Sequence, residues 1–257
     1  MKIVSFNIGL KINNSRQVAR LLRQLDADFI CLQEVIRHFE KTTFPKYRSK
    51  AEIDKILADR YPYRFFGPQW ISRKILARGK LHRDYGGLIE QGNYILSKYP
   101  IVSARNEHYF KHYSLEMDHT NFTNIDHPRS VAIAEIKRGP KSFTLANVHG
   151  TYSTNKVDTP RSLKQSQYLI NLKKQIKGPF ILAGDFNVIS QTESIKMLNR
   201  YYSNMTKKFK ITTTLPGKKI MAIDNYFINH KIKPIALQTY QTTISDHLPL
   251  VFEFNLK

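Results

Sequence analysis

The sequence predicts an α/β protein in which two β-sheets pack face to face and helices cover them on the outside. Apolar, β-rich runs recur along the whole chain, and helical periodicity appears between them at only a few places. No repeat, low-complexity tract or linker divides the chain, and 257 residues with 41% hydrophobic side chains can bury one large core. We therefore predict a single domain over residues 1–257.

The predicted strands are short runs rich in aromatic and β-branched residues, several of them continuous enough to be buried on both faces. They are Lys2–Phe6, Phe29–Gln33, Tyr63–Phe66, Tyr94–Leu96, Arg129–Lys137, Ser142–His149, Phe180–Gly184, Ile223–Ile228 and Leu250–Phe254.

Three helices are predicted between these runs. The segment Ser49–Glu52 has the pattern of a capping box, and a longer helix over Arg161–Ile176 follows Pro160, a residue suited to the first helical turn. The first helix starts near Asn14 or Ser15, and its apolar stripe has the i, i+3, i+4, i+7 spacing of an amphipathic helix. That stripe consists of Val18, Leu21, Leu22 and Leu25.

The chain is strongly basic. Lys plus Arg number 41 against 20 Asp plus Glu, which gives a formal net charge of +21. Such an excess favours a polyanionic partner, either nucleic acid, an anionic membrane surface or a phosphorylated ligand. The alternative is that the whole protein family is basic without a functional reason. No protein partner is indicated.

The single cysteine, Cys31, excludes an internal disulfide, and its apolar surroundings in the sequence predict a buried, unreactive thiol. No apolar stretch approaches the roughly 20 residues of a membrane span, so we expect no integral membrane segment. The first residues lead directly into a strand-like run with no signal peptide before it. We therefore expect a cytoplasmic protein, with export by a route that needs no signal peptide as the alternative.

Polar side chains occur at the ends of six of the predicted strands. Any one of them alone would be interpreted as a turn residue or a helix cap. Together they supply the oxygen ligands that hard cations take and the imidazoles that acid–base chemistry near neutral pH requires. These residues are Asn7, Glu34, Asn147, His149, Asp185, Asn187, Asp224, Asp246 and His247.

Four short strings, in the order found here, resemble the signature of the exonuclease–endonuclease–phosphatase superfamily. The resemblance runs from residue 5 to residue 247. It implies a four-layered α/β/β/α sandwich of two packed mixed sheets flanked by helices, and hydrolysis of phosphoesters with Mg²⁺ or Mn²⁺. The strings are Ser5-Phe6-Asn7, Leu32-Gln33-Glu34, Gly184-Asp185-Phe186-Asn187 and Ser245-Asp246-His247.

The resemblance also implies a role for each matching residue. Glu34 is similar to the main metal-ligating carboxylate, with Asn7 and Asp246 nearby in the metal shell. Asp185 and Asn187 resemble the pair that orients the attacking water and the phosphate oxygens.

The acid–base residues follow from the same resemblance. His247 resembles the histidine that shapes or deprotonates the attacking water, and Asp224 the carboxylate that holds its ring. His149 matches a histidine near the leaving group in pancreatic-type deoxyribonucleases and sphingomyelinase-like relatives. Glu90 is expected to orient His149, and Arg129 to offer a bidentate fork to the phosphate.

The remaining predicted substrate contacts are Asn147 and the basic segment Pro68–Arg83, with Trp70, Arg73 and Lys74. We expect this segment to leave the sandwich at the rim of the cleft. Its cations could hold phosphates while the indole stacks on a base, or the segment could dock on an anionic bilayer. The alternative is a basic helix that simply packs on the sandwich.

Two departures from the superfamily pattern bear on function. Abasic-site endonucleases carry an acidic residue two positions after the first Asn and a tyrosine at the place of His149, whereas Gly9 and His149 stand here. A dedicated abasic-site role is therefore disfavoured. We predict a divalent-metal-dependent endo- or exonuclease acting on nucleic acid. The alternatives are a phosphatase or phosphodiesterase of phospholipids or phosphoinositides, and a catalytically inactive binding module.

Overall fold

Two packed mixed β-sheets of six strands each, flanked by helices, form the protein, as the sequence predicts. The computed structural model describes residues 1–9, 14–39, 47–77, 80–113, 127–218 and 220–257, and for residues 75–77 and 80–83 it describes the backbone alone. No helix in these ranges is long and apolar enough to cross a membrane.

The first sheet has the strand order β11-β12-β1-β2-β4-β3. Its strands β1 and β2 run parallel, so that their carboxyl ends lie side by side, with Asn7 opposite Gln33. The other neighbours in this sheet are antiparallel. The strands are β1 Lys2–Asn7, β2 Phe29–His38, β3 Tyr63–Ala77, β4 Lys80–Ser97, β11 Ile232–Thr239 and β12 Leu250–Leu256.

The second sheet has the order β5-β6-β7-β8-β10-β9, and its one parallel pair, β7 and β8, brings His149 opposite Asp185. The antiparallel pairing of β8 with β10 places Asp224 opposite Asp185 from the other side. The strands are β5 Ile101–Phe110, β6 Arg129–Arg138, β7 Lys141–His149, β8 Phe180–Asp185, β9 Ser203–Asn204 and β10 Asp224–Ile228.

The three predicted helices are present, although their caps differ from the prediction. Asn14 precedes the first helix but makes no side-chain capping bond, and the Ser49 hydroxyl accepts the backbone N–H of Ile36 instead of closing a capping box. The third helix has a capping box between Thr159 and Ser162. The helices are α1 Ser15–Leu25, α2 Ser49–Leu57, α3 Pro160–Gln175, α4 Glu193–Asn199 and α5 Met205–Lys208.

Three apolar clusters fill the spaces between the layers. The central cluster joins the inner faces of the two sheets. Within it, the rings of Phe29 and Phe143 meet edge to face, with their centroids 5.1 Å apart. A second cluster lies between the first sheet and α1 and α2, and a third between the second sheet and α3 and α4. Cys31 lies in the central cluster, as predicted, and burial raises the pKa of its thiol.

The basic segment 68–83 is not the helix that was the alternative expectation, because β3 and β4 form one long hairpin that includes it. The pairing of β2 with β4 ends at His38–Ile89, whereas β3 and β4 stay paired as far as Ala77–Lys80. The outer half of the hairpin therefore continues beyond the described pairing with β2. Residues 78 and 79 lie outside the described residues.

Candidate active site

The strand ends of both sheets meet at one edge of the sandwich. Asn7 ends β1 and Asp185 ends β8, and the Asn7 Nδ2 donates to Asp185 Oδ2 at 3.1 Å across the gap between the sheets. The same amide nitrogen donates to Glu34 Oε1 at 3.3 Å. The parallel pairs β1–β2 and β7–β8 thus bring these three side chains together.

Left-handed backbone conformations shape this edge at three positions. Glu34 has φ +62° at the β-bulge between Leu32 and Val35, and Asn187 has φ +58°. Such values are rare for residues with a Cβ and persist only where the surrounding structure enforces them. Gly184 has φ +140°, and a Cβ there would lie 1.9 Å from the Val148 carbonyl oxygen. The close approach of β7 and β8 therefore requires glycine in the Gly-Asp-Phe-Asn string.

His247 and Asp224 form the predicted pair, with Nδ1 of the imidazole 2.9 Å from Oδ2 of the carboxylate. Both side chains are buried. Burial alone would lower the pKa of His247, but the charges of Asp224 and Asp185 outweigh it and raise that pKa. The hydrogen bond fixes the imidazole so that Nε2 is the nitrogen available to the cleft, where it lies 3.8 Å from Asp185 Oδ2.

The loop that carries His247 is anchored to β1. The Ser245 hydroxyl donates to the carbonyl oxygen of Asn7 at 2.8 Å and accepts the backbone N–H of His247 at 3.2 Å. The serine of the Ser-Asp-His string therefore connects the loop before β12 with the end of β1. This contact places the pair of His247 and Asp224 next to the end of β1.

Asp185 lies at the centre of the site. Its Oδ1 accepts the backbone N–H of Asn187 at 2.7 Å, and its Oδ2 lies 3.8 Å from Nε2 of both His149 and His247. Asp185, Asp224 and His247 form a buried group whose ligand atoms all lie within 4.8 Å of one another. The sequence predicted all three as catalytic residues and none as a metal ligand.

The two carboxylates predicted to bind the metal, Glu34 and Asp246, are near enough for the charge of one to affect the other. Burial raises the pKa of the Glu34 carboxyl, and the negative charges of Asp246 and Asp185 raise it further. Asp246 is exposed at the mouth of the site. Several oxygen donors that repel one another are the setting in which a hard divalent cation binds well, so these residues fit Mg²⁺ or Mn²⁺.

Asn7 lies beside Glu34, and both ends of its side-chain amide are hydrogen-bonded. Its Nδ2 faces Glu34 and Asp185, and its Oδ1 accepts the backbone N–H of Gly9 at 3.0 Å. The amide therefore holds two carboxylates in position with its donor end. An oxygen ligand from Asn7 would require the remaining lone pair of Oδ1.

His149 faces Arg129 rather than a carboxylate partner of its own. The guanidinium Nη1 lies 3.2 Å from Nδ1 and 3.4 Å from Nε2 of the imidazole, and both residues are buried. Because arginine can only donate, the ring offers it an acceptor nitrogen and is neutral in this arrangement. Burial, followed by the charge of Arg129, holds the pKa of His149 well below its ordinary value.

The predicted pairing of Glu90 with His149 is wrong. Glu90 lies opposite Arg37 in the β2–β4 ladder, where the guanidinium Nε donates to its carboxylate at 2.6 Å. The hydroxyl of Tyr113 donates to the other carboxylate oxygen. Opposite charges directly across a ladder attract each other, so the register of β2 and β4 commits Glu90 to Arg37.

Asn147 is buried beneath the site and does not reach a substrate. Its side chain is fully buried, its Nδ2 donates to the carbonyl oxygens of Leu32 and Tyr94, and its Oδ1 accepts from Gln33 at 2.7 Å. These three partners belong to the first sheet, so Asn147 on β7 ties the two sheets together. Its predicted role in substrate binding is wrong.

Trp70 also departs from its predicted role. The indole is fully buried and packs against the rings of Tyr85 and His127. The ring centroids lie 6.0 Å and 4.8 Å from that of the indole, respectively. It can therefore neither stack on a base nor lie at a lipid headgroup. Its neighbours Arg73 and Lys74 are exposed on the hairpin, where the sequence predicted accessible cations.

Two residues at the site, Lys156 and Thr214, carry no signal in the sequence. Lys156, in the loop between β7 and α3, donates from Nζ to Asn187 Oδ1 at 2.6 Å. The buried Thr214 hydroxyl accepts the backbone N–H groups of Ile223 and Asp224, both at 3.2 Å. Neither residue follows a predicted strand, so the strand-end pattern that revealed the other residues gave no signal for them.

The four layers, and a site of carboxylates, amides and imidazoles at their edge, define a class of α/β sandwich hydrolases. The sequence model of the Endonuclease/Exonuclease/phosphatase family matches residues 4–247. The chain belongs to this family, whose members hydrolyse phosphoester bonds.

Solved structures of the same fold are similar to the whole chain at low sequence identity. A family member from Beutenbergia cavernae has a TM-score of 0.76 at 15% identity, covering 100% of this chain and 71% of its own. A mannosyl-6-phosphatase from Bacteroides thetaiotaomicron has 0.67 at 15%, covering 100% of both chains. The human nocturnin catalytic domain with bound sulfate anion has 0.66 at 19%, covering 100% of this chain and 94% of its own. No curated protein matches the sequence.

Proposed function

We propose that this protein is a divalent-metal-dependent nuclease that hydrolyses phosphodiester bonds of nucleic acid with an activated water. One observation carries the proposal. The hydrogen-bonded pair of His247 and Asp224, at 2.9 Å, opens onto the same space as Asp185, Glu34 and His149. This combines a base with groups that can hold a cation and a phosphate.

A metal ion would be held by Glu34 and Asp246, with the free lone pair of Asn7 Oδ1 as a further oxygen. When bound, Mg²⁺ or Mn²⁺ supplies charge neutralisation at the phosphate and lowers the pKa of coordinated water. The Asn7 amide keeps Glu34 and Asp185 at a fixed separation through its hydrogen bonds of 3.3 and 3.1 Å.

The acid–base step belongs to His247. Its Nδ1 is bonded to Asp224, so when the ring is neutral Nε2 is the free nitrogen that takes the proton of the attacking water. Asp224 holds the ring in that tautomer and stabilises the imidazolium that forms. Asp185 Oδ2, 3.8 Å from Nε2, is placed to accept a hydrogen bond from the same water.

The phosphate is bound by donors on the second sheet. Arg129 and the amide of Asn187 offer N–H groups to non-bridging oxygens, and neutral His149 offers a ring N–H without adding charge. Attack on an anionic diester depends mainly on such positioning and charge neutralisation.

A nucleic acid substrate is favoured by charge. The formal net charge of +21 suits a phosphate backbone, and the outer hairpin presents Arg73 and Lys74 to solvent. With Trp70 buried, we propose that this grip is electrostatic and does not involve stacking by the hairpin's indole. A mannosyl-6-phosphatase of the same fold supports a phosphomonoester as the competing substrate class.

A substrate panel tests the proposal. The purified protein is incubated with Mg²⁺ and supercoiled plasmid, single-stranded DNA, RNA, sphingomyelin, phosphoinositides or a hexose 6-phosphate. We expect cleavage of nucleic acid that is lost in His247→Ala. Turnover of a lipid or a monoester in the absence of nucleic acid cleavage would move the assignment to the phosphatase branch, and no turnover of any ester would refute it.

A further inference from the structure

The ammonium of Lys156 lies at the edge of the active site without a carboxylate partner in the described part of the chain. Nζ donates to Asn187 Oδ1 at 2.6 Å and lies 4.7 Å from the centre of the Tyr152 ring. Lysine has three N–H donors, and the amide oxygen takes one of them. The remaining donors can serve an anion.

The backbone around Lys156 is built to hold the side chain in this place. Its φ of +57° lies in the left-handed region, which is unfavourable for lysine unless the fold imposes it. Its N–H donates to the carbonyl oxygen of Ser153 at 3.2 Å, and its own carbonyl accepts the N–H of Ile189 at 2.9 Å. The second contact ties the loop to the segment that follows Asn187.

The side-chain amide of Asn187 has a hydrogen-bond donor at its oxygen and a hydrogen-bond acceptor at its nitrogen. Lys156 can only donate, so it selects the amide oxygen, and the Gly150 carbonyl can only accept, so it selects Nδ2, at 3.3 Å. The orientation of the amide is therefore fixed. One hydrogen of Nδ2 is left for a ligand.

We propose that Lys156 is a positioning and phosphate-binding residue, which fixes the Asn187 amide and donates a further hydrogen bond to a non-bridging phosphate oxygen. The inference rests on the proposed function for its kinetic consequences. As a point charge, lysine binds a phosphate oxygen without demanding one geometry.

The first test measures binding of inorganic phosphate by calorimetry in metal-free buffer. It compares the wild type with Lys156→Met, Lys156→Gln, Lys156→Arg and Lys164→Met, a control at an exposed position on α3 that makes the same change in net charge. We expect Lys156→Met and Lys156→Gln to weaken phosphate binding at least about tenfold, as for loss of one charge-assisted hydrogen bond. Lys156→Arg and Lys164→Met should stay within about threefold of the wild type.

The second test separates the two parts of the role. Glutamine keeps an N–H donor for Asn187 without the charge, so Lys156→Gln should raise KM while kcat is largely retained. Methionine removes both, so Lys156→Met should also lower kcat by about tenfold or more. Spectra of ¹⁵N-asparagine-labelled protein, with the Asn187 side chain assigned by its loss in Asn187→Asp, should show a shifted amide in Lys156→Met and not in Lys164→Met.

The outcomes are distinguishable from those of the proposed function. A wild type that cleaves no phosphoester refutes the nuclease, while phosphate binding and the amide spectra still decide the role of Lys156. Phosphate affinity and an Asn187 amide unchanged in a folded Lys156→Met or Lys156→Gln would overturn the inference. A wild type that binds no phosphate would overturn it as well.

Discussion

The imidazole of His247 and the carboxylate of Asp224 act as one unit, because each satisfies the buried polar atoms of the other. Nδ1 lies 2.9 Å from Oδ2, and both residues are buried at the end of the cleft. A buried charged group that loses its partner is strongly destabilised, so we expect removal of either residue to impair the other. The role of Thr214 in this unit is to anchor the backbone at Ile223 and Asp224.

Replacement of His247 by alanine should lower kcat on the cleaved ester by about 10²-fold or more, the range of lost general acid–base catalysis. Asp224→Asn should cause a loss of similar size, and the double variant should lose little more than either single one, because the two residues act together. Steady-state kinetics on all three variants measure this. Multiplicative losses in the double variant would show that the residues act independently.

Gly184→Ala should destabilise the protein by about 2 kcal/mol or more, since alanine meets both a positive φ and a backbone clash. A Cβ at this position would lie 1.9 Å from the Val148 carbonyl oxygen. Gly178→Ala is the matched control, because a Cβ there meets no atom within 4 Å, and its effect should stay within about 0.5 kcal/mol. Urea unfolding of both variants decides the point, and equal midpoints would contradict this account of the motif glycine.

At the scale of elements, the β3–β4 hairpin has two different halves. The inner half, up to about Ser72, pairs with the sheet and contributes Trp70 to a buried aromatic cluster with Tyr47 and Tyr85. The outer half continues beyond the described pairing with β2 and presents Arg73 and Lys74 to solvent. Trp70 and Ile71 of the basic segment are thus buried, while its described cations Arg73 and Lys74 face outward.

The double charge reversal Arg73→Glu, Lys74→Glu should raise KM on DNA and reduce its dependence on salt, with little change in kcat, because it removes phosphate contacts far from the chemistry. Lys164→Glu, Lys174→Glu is the control, with the same change in net charge at exposed positions of α3. KM at several salt concentrations measures the effect. Equal responses of the two double variants would show that the hairpin makes no specific contribution.

The fluorescence of Trp70, the only tryptophan, reports on the same hairpin. Because the indole is fully buried, its emission should be protected from acrylamide and should not change when DNA is added. Tyr152→Trp, near the site, should respond to DNA and serves as the positive control. Quenching of Trp70 by DNA would restore the stacking role that the structure excludes.

At the scale of the whole molecule, the site exists only because two sheets are packed together. Glu34 and Asn7 come from the first sheet, and His149, Asp185 and Asp224 from the second. The Asn7–Asp185 hydrogen bond and the contacts of Asn147 with Leu32 and Tyr94 cross between the sheets. The active-site geometry therefore depends on the register of the sandwich.

This dependence explains what the sequence could and could not predict. Asp185 was predictable because parallel strands bring their carboxyl ends to one edge, and His247 because it precedes an antiparallel strand that starts at the same edge. The partner of Glu90 depends on the register of β2 against β4, and the burial of Trp70 on the length of a hairpin. Neither the strand register nor the hairpin length can be inferred from the local sequence. Lys156 reaches the site from a loop that has no motif of its own.

We conclude above all that this edge of the sandwich is a metal-dependent phosphoesterase site. Hydrolysis of DNA tests this conclusion most directly, and it is measured for the wild type and for Glu34→Gln in EDTA, in Mg²⁺ and in Mn²⁺. We expect cleavage that disappears in EDTA and returns with either cation. In Glu34→Gln, which is nearly the same size, cleavage should stay low in both metals, because the charge that favours the cation is lost. Full cleavage in EDTA, or wild-type activity in Glu34→Gln, would contradict it.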